Sequence, residues 1–158
     1  MFRELVRKNK ALPHEECIEL LRQEKRGVLS VLGDNDYPYG MPMNHYYNEE
    51  DGCIYFHSGN VGHRLEALQR HKKVSFCCFD EGKKEDGEWF YLVRSVIAFG
   101  RIEFVEDEQE IIDISIKLSH KFTLDDEYIK GAIERSLHRT VMTRLRIEDL
   151  QGKLVTEK

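Results

Sequence analysis

The clearest β-strand in this sequence reads Val141-Met142-Thr143-Arg144-Leu145-Arg146-Ile147-Glu148. Residues 141, 143, 145 and 147 alternate with residues 142, 144, 146 and 148, and a period of two is typical of a strand with one face on a core. Upstream, residues 89–105 form a longer β-like run that contains Gly100, where we expect a bulge. These two runs predict a fold dominated by a sheet.

Four shorter runs complete the predicted sheet. Residues 37–47 contain Pro38 and Pro42, which have no N–H to give to a ladder, so this run belongs to an edge, a bulge or the mouth of a barrel. The dipeptide Asp51-Gly52 follows and is typical of a hairpin turn. The predicted strands are therefore six: residues 28–32, 37–47, 53–57, 74–79, 89–105 and 141–148.

Helices are predicted at three places around these strands. The first starts at Pro13, which suits a first helical turn, and stops at Gly27. Short connections favour antiparallel neighbours, and six strands can close into a small barrel that exposes no edges. We predict a β-dominated α+β fold, an antiparallel barrel with peripheral helices. The second place is residues 61–71, and the third contains two helical stretches, residues 108–121 and 125–137.

The composition narrows the class of protein. The 158 residues, with 24 Lys+Arg against 29 Asp+Glu, fit one acidic domain spanning residues 1–158, and nucleic-acid binders are more often basic. No apolar run approaches the roughly 18–20 residues of a membrane helix, and the N-terminus shows no secretory h-region. We therefore expect a cytoplasmic protein with no nucleic-acid or membrane partner. Its four cysteines, expected to be reduced and mostly buried, are Cys17, Cys53, Cys77 and Cys78.

The most informative segment for chemistry is Phe56-His57-Ser58-Gly59-Asn60-Val61-Gly62-His63-Arg64-Leu65. It runs from a strand end through two glycines into a helix start, where free N–H groups and the helix dipole suit a phosphate. Arg64 adds charge and bidentate geometry. The segment lacks the Gly-Lys-Ser/Thr ending of a P-loop. The alternative is an ordinary strand–loop–helix connection in which Ser58 caps the helix and Arg64 is solvated.

Two further segments could contact a ligand. In residues 39–47, Pro42 leaves nearby backbone groups unpaired, and these could hydrogen-bond a flat polar heterocycle; the alternative is packing at the core and rim. In residues 94–100, Arg94-Ser95 precedes an apolar strand and could contact an anion or carbonyl, or simply end a ladder. The seven histidines form no H-x-E, H-E-x-x-H or His/Cys cluster, so we predict no metal site.

Taken in order, these segments resemble the flavin-binding split-barrel group related to pyridoxamine phosphate oxidase, and within it the nitroimidazole-resistance proteins. The likeness covers about residues 1–155. Arg64 stands where relatives often have Lys. The residues that carry the resemblance are Met1-Phe2-Arg3-Glu4, Asp36-Tyr37-Pro38-Tyr39-Gly40-Met41-Pro42, Ile54-Tyr55-Phe56-His57-Ser58, Gly62-His63-Arg64, Val74-Ser75-Phe76, Arg94-Ser95-Val96-Ile97-Ala98-Phe99-Gly100 and Gly152-Lys153.

The resemblance implies a six-stranded split β-barrel homodimer that binds FMN in clefts between its subunits. FMN is the implied cofactor, although FAD shares its phosphate anchor and some split barrels hold deazaflavin or heme. By motif, the helix-start segment would hold the phosphate, residues 42–44 would line the isoalloxazine ring, and residues 94–96 would approach from a neighbouring strand. The implied cofactor-binding residues are Pro42, Met43, Asn44, His57, Ser58, Gly62, His63, Arg64, Ser75, Arg94, Ser95 and Val96.

The resemblance also implies an FMN-dependent oxidoreductase. Such an enzyme reduces a small oxidised molecule with electrons from a nicotinamide or another donor, and in the nitroimidazole-resistance proteins the proposed substrate is a nitroimidazole reduced to an amine. The flavin does the redox work, so the sequence demands no acid or base. His57 is the candidate for a side chain near the reactive ring, or else a structural histidine. The alternative is a non-catalytic protein that stores, carries or senses a flavin or heme.

Overall fold

The computed structural model describes residues 1–157 as one antiparallel sheet with four α-helices packed on it. The sheet curls into a half-barrel, and its strands follow the order β2-β1-β5-β7-β8-β4-β3, with β6 paired to β7. The helices are α1 (His14–Gln23), α2 (His63–Arg70), α3 (Glu108–Ser119) and α4 (Asp126–Ser136). The strands are β1 (Arg26–Leu32), β2 (Pro38–Asn44), β3 (Tyr46–Asn48), β4 (Cys53–Gly59), β5 (Lys73–Phe79), β6 (Lys83–Lys84), β7 (Tyr91–Val105) and β8 (Thr140–Thr156).

The predicted β-dominated α+β class is confirmed, but the predicted strand count of six is wrong, because the sheet has eight strands. The run at residues 37–47 divides into β2 and β3 at His45, whose backbone N–H leaves the ladder and donates to the Lys25 carbonyl. The polar loop after β5 contributes β6, which pairs with the start of β7. The contacts of His45 at this break are tertiary, so the hydrophobic pattern of the sequence does not show them.

The special positions predicted from the sequence are confirmed. Pro38 and Pro42 lie in β2, which ends the strand order and so has one free edge. The register shifts between Phe99 and Gly100, and a Cβ at Gly100 would lie 2.1 Å from the Arg146 carbonyl oxygen. Gly52, with φ of 68°, turns the chain from β3 into β4.

The helices are shorter than predicted. Pro13 is the N-cap of α1 rather than its first residue, and α1 ends at Gln23 because β1 already starts at Arg26 and includes Gly27. No helix within residues 1–157 is both long enough and apolar enough to cross a membrane. The four cysteines are free thiols, three of them buried.

Two cores hold the fold together. The larger lies inside the curl of the sheet, where α1 buries Leu20 and Leu21 and the rings of Phe56 and Phe76 meet at 5.2 Å. A smaller core lies on the outside of β4 and β8 beneath α3. Met142, on the face of β8 that also carries arginines, is fully buried there. The start of β8 is therefore covered on both faces, which its alternating sequence does not predict.

The outer faces of β1 and β5 and part of the outer face of β7 are bare, whereas Phe2 covers the β7 face at Phe99, with 5.6 Å between the ring centroids. The register of these strands aligns Val28 with Cys77 and Cys77 with Ile97. Val28 and Ile97 are each 38% exposed, and Phe79 on the same face is 59% exposed. An exposed apolar surface of this extent on a sheet is typical of an interface.

Candidate functional site

The loop between β4 and α2 ends in an uncapped helix start. Gly62 is the N-cap of α2 with φ of 128°, a conformation that favours glycine, and no side chain caps the helix. The first N–H groups of a helix have no partner within it and carry the positive end of its dipole. Ser58 does not cap α2, because its hydroxyl donates to the Gly59 carbonyl at 3.0 Å. The helix start is therefore free to bind an anion.

Arg64, in the first turn of α2, is a half-buried cation without a carboxylate partner. Its guanidinium lies 3.0 Å from the Met43 sulfur atom. No ion pair within residues 1–157 includes Arg64. Burial lowers its pKa, so the site lacks a negative charge that would compensate for desolvation. The predicted alternative, a solvated Arg64, does not describe this geometry.

His63 points its ring away from the free helix start. The imidazole stacks on Tyr39 at 4.4 Å between ring centroids, and its Nε2 accepts the backbone N–H of Asp34 at 3.1 Å. Asp34 also pairs with Arg70 near the other end of α2, at 2.7 Å. The turn after β1 therefore holds α2 at both ends. What His63 leaves available at the helix start is its backbone N–H.

Asp34 and Tyr39 were not among the predicted site residues. In the turn after β1, Asn35 and Asp36 adopt positive φ angles of 55° and 61°. Two consecutive non-glycine residues in this region are a strained arrangement that the surrounding contacts must hold. No pattern in the sequence connects this turn with a helix about 30 residues away, since the contact exists only in three dimensions.

His57 lies near Arg64, at the end of β4. Desolvation of the ring and the positive charge of Arg64 lower the pKa of His57, although the side chain as a whole counts as exposed. His57 occupies the outer face of β4, the same face as the smaller core, whereas Ser58 points to the opposite face. Both effects disfavour the protonated form of the ring.

The edge strand β2 meets this site through Met43. Met43 is 8% exposed and touches Arg64, while Pro42 and Asn44 on either side of it are exposed. The Asn44 amide oxygen accepts from the Arg26 side chain at 3.3 Å. Of the predicted residues, the structure thus gathers Met43, His57, Gly62, His63 and Arg64 around one helix start, with Pro42, Asn44 and Ser58 alongside.

The remaining predicted residues lie elsewhere in the chain. The Arg94 guanidinium donates to Asp80 at 2.8 Å and lies 3.4 Å from Glu19, and its hydrogen bond to Asp80 raises its pKa. Val96 is fully buried in the larger core. Ser75 and Ser95 lie on the outer face of β5 and β7, where the Ser95 hydroxyl donates to the Lys153 carbonyl. These contacts give Arg94 and Val96 structural roles within this chain.

Within residues 1–157, no group of three or more His, Cys, Asp or Glu side chains is arranged to hold a metal ion. The arrangement described above instead offers one unpaired guanidinium and a set of free N–H groups. Such a site is suited to a phosphate or another anion.

Comparison with known proteins places this fold among relatives. A family model described as pyridoxamine 5'-phosphate oxidase matches residues 13–154. Among curated proteins, none matches the sequence significantly.

Solved structures are similar over nearly the whole chain. A conserved protein of Mycobacterium tuberculosis has a TM-score of 0.81 at 18% identity, covering 96% of this chain and 90% of its own. A candidate 5-nitroimidazole antibiotic resistance protein of Bacteroides thetaiotaomicron has a TM-score of 0.71 at 21% identity, covering 94% of this chain and 90% of its own. An FAD-binding protein of Mesorhizobium loti has a TM-score of 0.70 at 24% identity, covering 92% of this chain and 97% of its own. At these identities the likeness shows a shared fold.

Proposed function

The chain belongs to the pyridoxamine 5'-phosphate oxidase family, and from this premise we propose that it binds a flavin whose phosphate lies at the start of α2. The observation that carries the proposal is Arg64, a half-buried cation with no carboxylate partner in the described chain, beside an uncapped helix N-terminus. A phosphate there would pair with the guanidinium and accept from the first N–H groups of α2. Membership of the family and the geometry around Arg64 thus both support a flavin phosphate as the ligand.

Within the flavins we propose FMN. One guanidinium at one helix start matches a single terminal phosphate dianion. A relative of similar fold is an FAD-binding protein, so the mass of the cofactor released from the purified protein is the deciding measurement.

The ring of the flavin would lie along the edge strand β2, on the backbone of Pro42, Met43 and Asn44. Pro42 removes one donor from this edge, and the exposed backbone around it can hydrogen-bond a flat heterocycle. His57 would stand near the ring with its imidazole neutral, because burial and Arg64 lower its pKa. A neutral imidazole can accept a proton or donate a hydrogen bond to a reacting molecule.

We propose that the protein is an oxidoreductase. A bound flavin supplies two-electron chemistry, accepting electrons from a nicotinamide or another donor and passing them to a small oxidised molecule. The chain itself would anchor the phosphate through Arg64 and orient the ring through β2. Nitroimidazole-type compounds are the proposed substrates, supported by the likeness to the candidate resistance protein. The rival function is flavin or heme binding without turnover, since another protein of this fold binds FAD and heme.

We also propose a homodimer formed through the bare parts of the outer faces of β1, β5 and β7. Val28, Phe79 and Ile97 would be buried against the same residues of a second copy. Ser75 and Ser95 lie on this face, so a cofactor at the subunit boundary would be within their reach. In this arrangement they would serve the site from the interface rather than from inside one chain.

Spectra and variants test flavin binding. The purified protein is expected to be yellow and to release FMN. Replacing Arg64 with Ala removes a charge-assisted hydrogen bond worth about 1.5–3 kcal/mol, so we expect FMN affinity to fall about ten- to a hundred-fold. Arg22→Ala, on the exposed surface of α1, is the control and should bind FMN like the wild type. A colourless protein that does not bind added FMN overturns the proposal.

Turnover separates the enzyme from its rival. Oxidation of NADH or NADPH with a nitro compound present, at rates well above free FMN, supports an oxidoreductase; tight flavin binding without turnover supports a carrier or sensor.

The dimer is tested by light scattering of the wild type and of Ile97→Lys. The wild type should have twice the mass of one chain and the variant one chain. A monomeric wild type refutes the dimer without touching the flavin proposal.

A further inference from the structure

A small cavity adjoins His57 on the side away from the larger core. It has a volume of about 120 Å³ and lies between α3 and α4 on one side and β4 and β8 on the other. Besides His57, its polar lining consists of the hydroxyl-bearing residues Ser115, Ser119, Ser136 and Thr140. At about 30 Å³ per water molecule, the cavity has room for about four waters or for one five-membered ring.

Three of the four hydroxyl groups of this cavity present acceptors rather than donors, whereas the Ser115 hydroxyl makes no hydrogen bond within residues 1–157 and keeps its proton. Ser119 donates to the Ser115 carbonyl at 2.7 Å, Ser136 to the Ala132 carbonyl at 2.9 Å, and Thr140 to the Ser136 carbonyl at 2.9 Å. A hydroxyl that has given its one proton to the backbone keeps its oxygen lone pairs for a ligand. The cavity is therefore suited to molecules that carry N–H or O–H groups.

The lining also argues against ions. No Asp, Glu, Lys or Arg side chain lines the cavity, and the rest of its wall is apolar: Leu118, Ala132, Ile133 and Leu137. Transferring an ion into such surroundings without a partner of opposite charge is costly. An anion would in addition meet the oxygen lone pairs of Ser119, Ser136 and Thr140.

From this geometry we propose that the cavity is a binding site for a small uncharged molecule with an N–H donor, of about the size of an azole ring, held beside His57. The ligand would donate to Thr140, which lies on the same face of the sheet as His57 on the neighbouring strand, and would pack its ring on Ile133 and Leu137. Binding here does not require a flavin. Where the proposed function also holds, the cavity places an uncharged reactant or product of the reduction against His57.

Nuclear magnetic resonance of the full-length protein tests the proposal. Pyrazole and thiazole are uncharged rings of similar size, and of the two only pyrazole carries an N–H. The His57 ring resonances, identified by their absence in His57→Gln, should shift saturably with pyrazole. Because one net hydrogen bond contributes about 0.5–1.5 kcal/mol, thiazole should bind about 2- to 12-fold more weakly. Equal affinity for both rings, or no shift of His57 with pyrazole, overturns the proposal.

Variants of the wall locate the ligand. Ala132→Leu extends a side chain into the cavity and should abolish the pyrazole shift, whereas Glu134→Gln, exposed on the same helix and outside the cavity wall, should bind as the wild type does. Thr140→Val keeps the shape but removes one acceptor, and should weaken pyrazole about 2- to 12-fold even if Ala132→Leu fails to fold. Undiminished binding by Thr140→Val and by folded Ala132→Leu contradicts the assignment. Flavin content, read from each variant's absorbance, is a separate result.

Discussion

Acidification from pH 7 to pH 5 should destabilise this protein by about 2 kcal/mol through one buried imidazole, that of His45. His45 is completely buried between β2 and β3, and its Nε2 donates to the Leu21 carbonyl at 2.7 Å. Its Nδ1 has no hydrogen-bond partner, and the ring lies 4.8 Å from that of Phe76. The surroundings therefore offer nothing that would stabilise a proton on Nδ1.

The charge of Lys121 opposes protonation further. The Lys121 ammonium group donates to the backbone carbonyls of Glu24 and His45 and so lies close to the ring. Burial, followed by the charge of Lys121, lowers the pKa of His45 from 6.5 to about 3. The folded state thus keeps the ring neutral over a pH range in which the unfolded chain protonates it.

The sign and magnitude follow from linkage. Between pH 6.5 and pH 3 the unfolded state binds more protons than the folded state, so stability falls as the pH falls. With an unfolded pKa of 6.5, protonation of the unfolded chain lowers the free energy of unfolding by about 0.2 kcal/mol at pH 7 and about 2 kcal/mol at pH 5. For a chain of this length, the loss corresponds to a Tm lower by about 4–8 °C.

Urea unfolding at pH 7 and pH 5 measures the effect, with His45→Gln as the test variant. Glutamine retains an N–H that can donate to Leu21 but does not titrate, so the drop in unfolding free energy should be about 2 kcal/mol smaller than in the wild type. The exposed His14 supplies the matched control, because His14→Gln removes an imidazole without touching the core. A drop of the same size in the wild type and in His45→Gln would refute the reasoning.

Two further outcomes test the packing and the surface charges. Gly100→Ala should destabilise the fold by about 1–3 kcal/mol or prevent it, because the new Cβ would collide with the Arg146 carbonyl; Gly59→Ala, which meets nothing within 4 Å, should be near neutral in the same urea experiment. Hydrogen bonds from Arg146 and Arg144 lower the pKa of Glu103 from 4.5 to about 2, so its contribution is present above pH 4.5 and is lost as the pH falls toward 2. The Tm of Glu103→Gln should therefore fall less between pH 5 and pH 3 than that of the wild type, and an equal fall would contradict the pairing.

Much of the fold could be predicted because its signals are local. The prolines of β2 cannot donate to a ladder wherever they lie, and Asp51-Gly52 turns the chain by its own dihedral angles. The strand count could not be predicted in the same way. β2 and β3 are separated at His45, whose ring is buried beside Phe76 and whose carbonyl accepts from Lys121, an environment assembled from distant parts of the chain.

The candidate site likewise has a part that could be predicted from local sequence and a part that depends on tertiary contacts. The segment that includes Gly62 and Arg64 predicted a helix start suited to a phosphate. This prediction was possible because the glycines, the cation and the strand–helix junction are neighbours in the sequence. Arg94 had the right chemistry for an anion, yet the fold pairs it with Asp80 and Glu19. A charged side chain does not reveal in the sequence whether its countercharge comes from the protein or from a ligand.

By itself, the sequence determined most of the helices and strands and several of the turns between them, together with the kind of groups offered at the start of α2. These depend on periodicity, on proline and glycine geometry and on the helix dipole, all of which act over a few residues. Tertiary structure alone decided that Arg64 would be left unpaired, that Arg94 would be neutralised and that four hydroxyl-bearing residues would line a cavity beside His57. The reason is that desolvation and pairing depend on which distant groups the sheet and helices bring together.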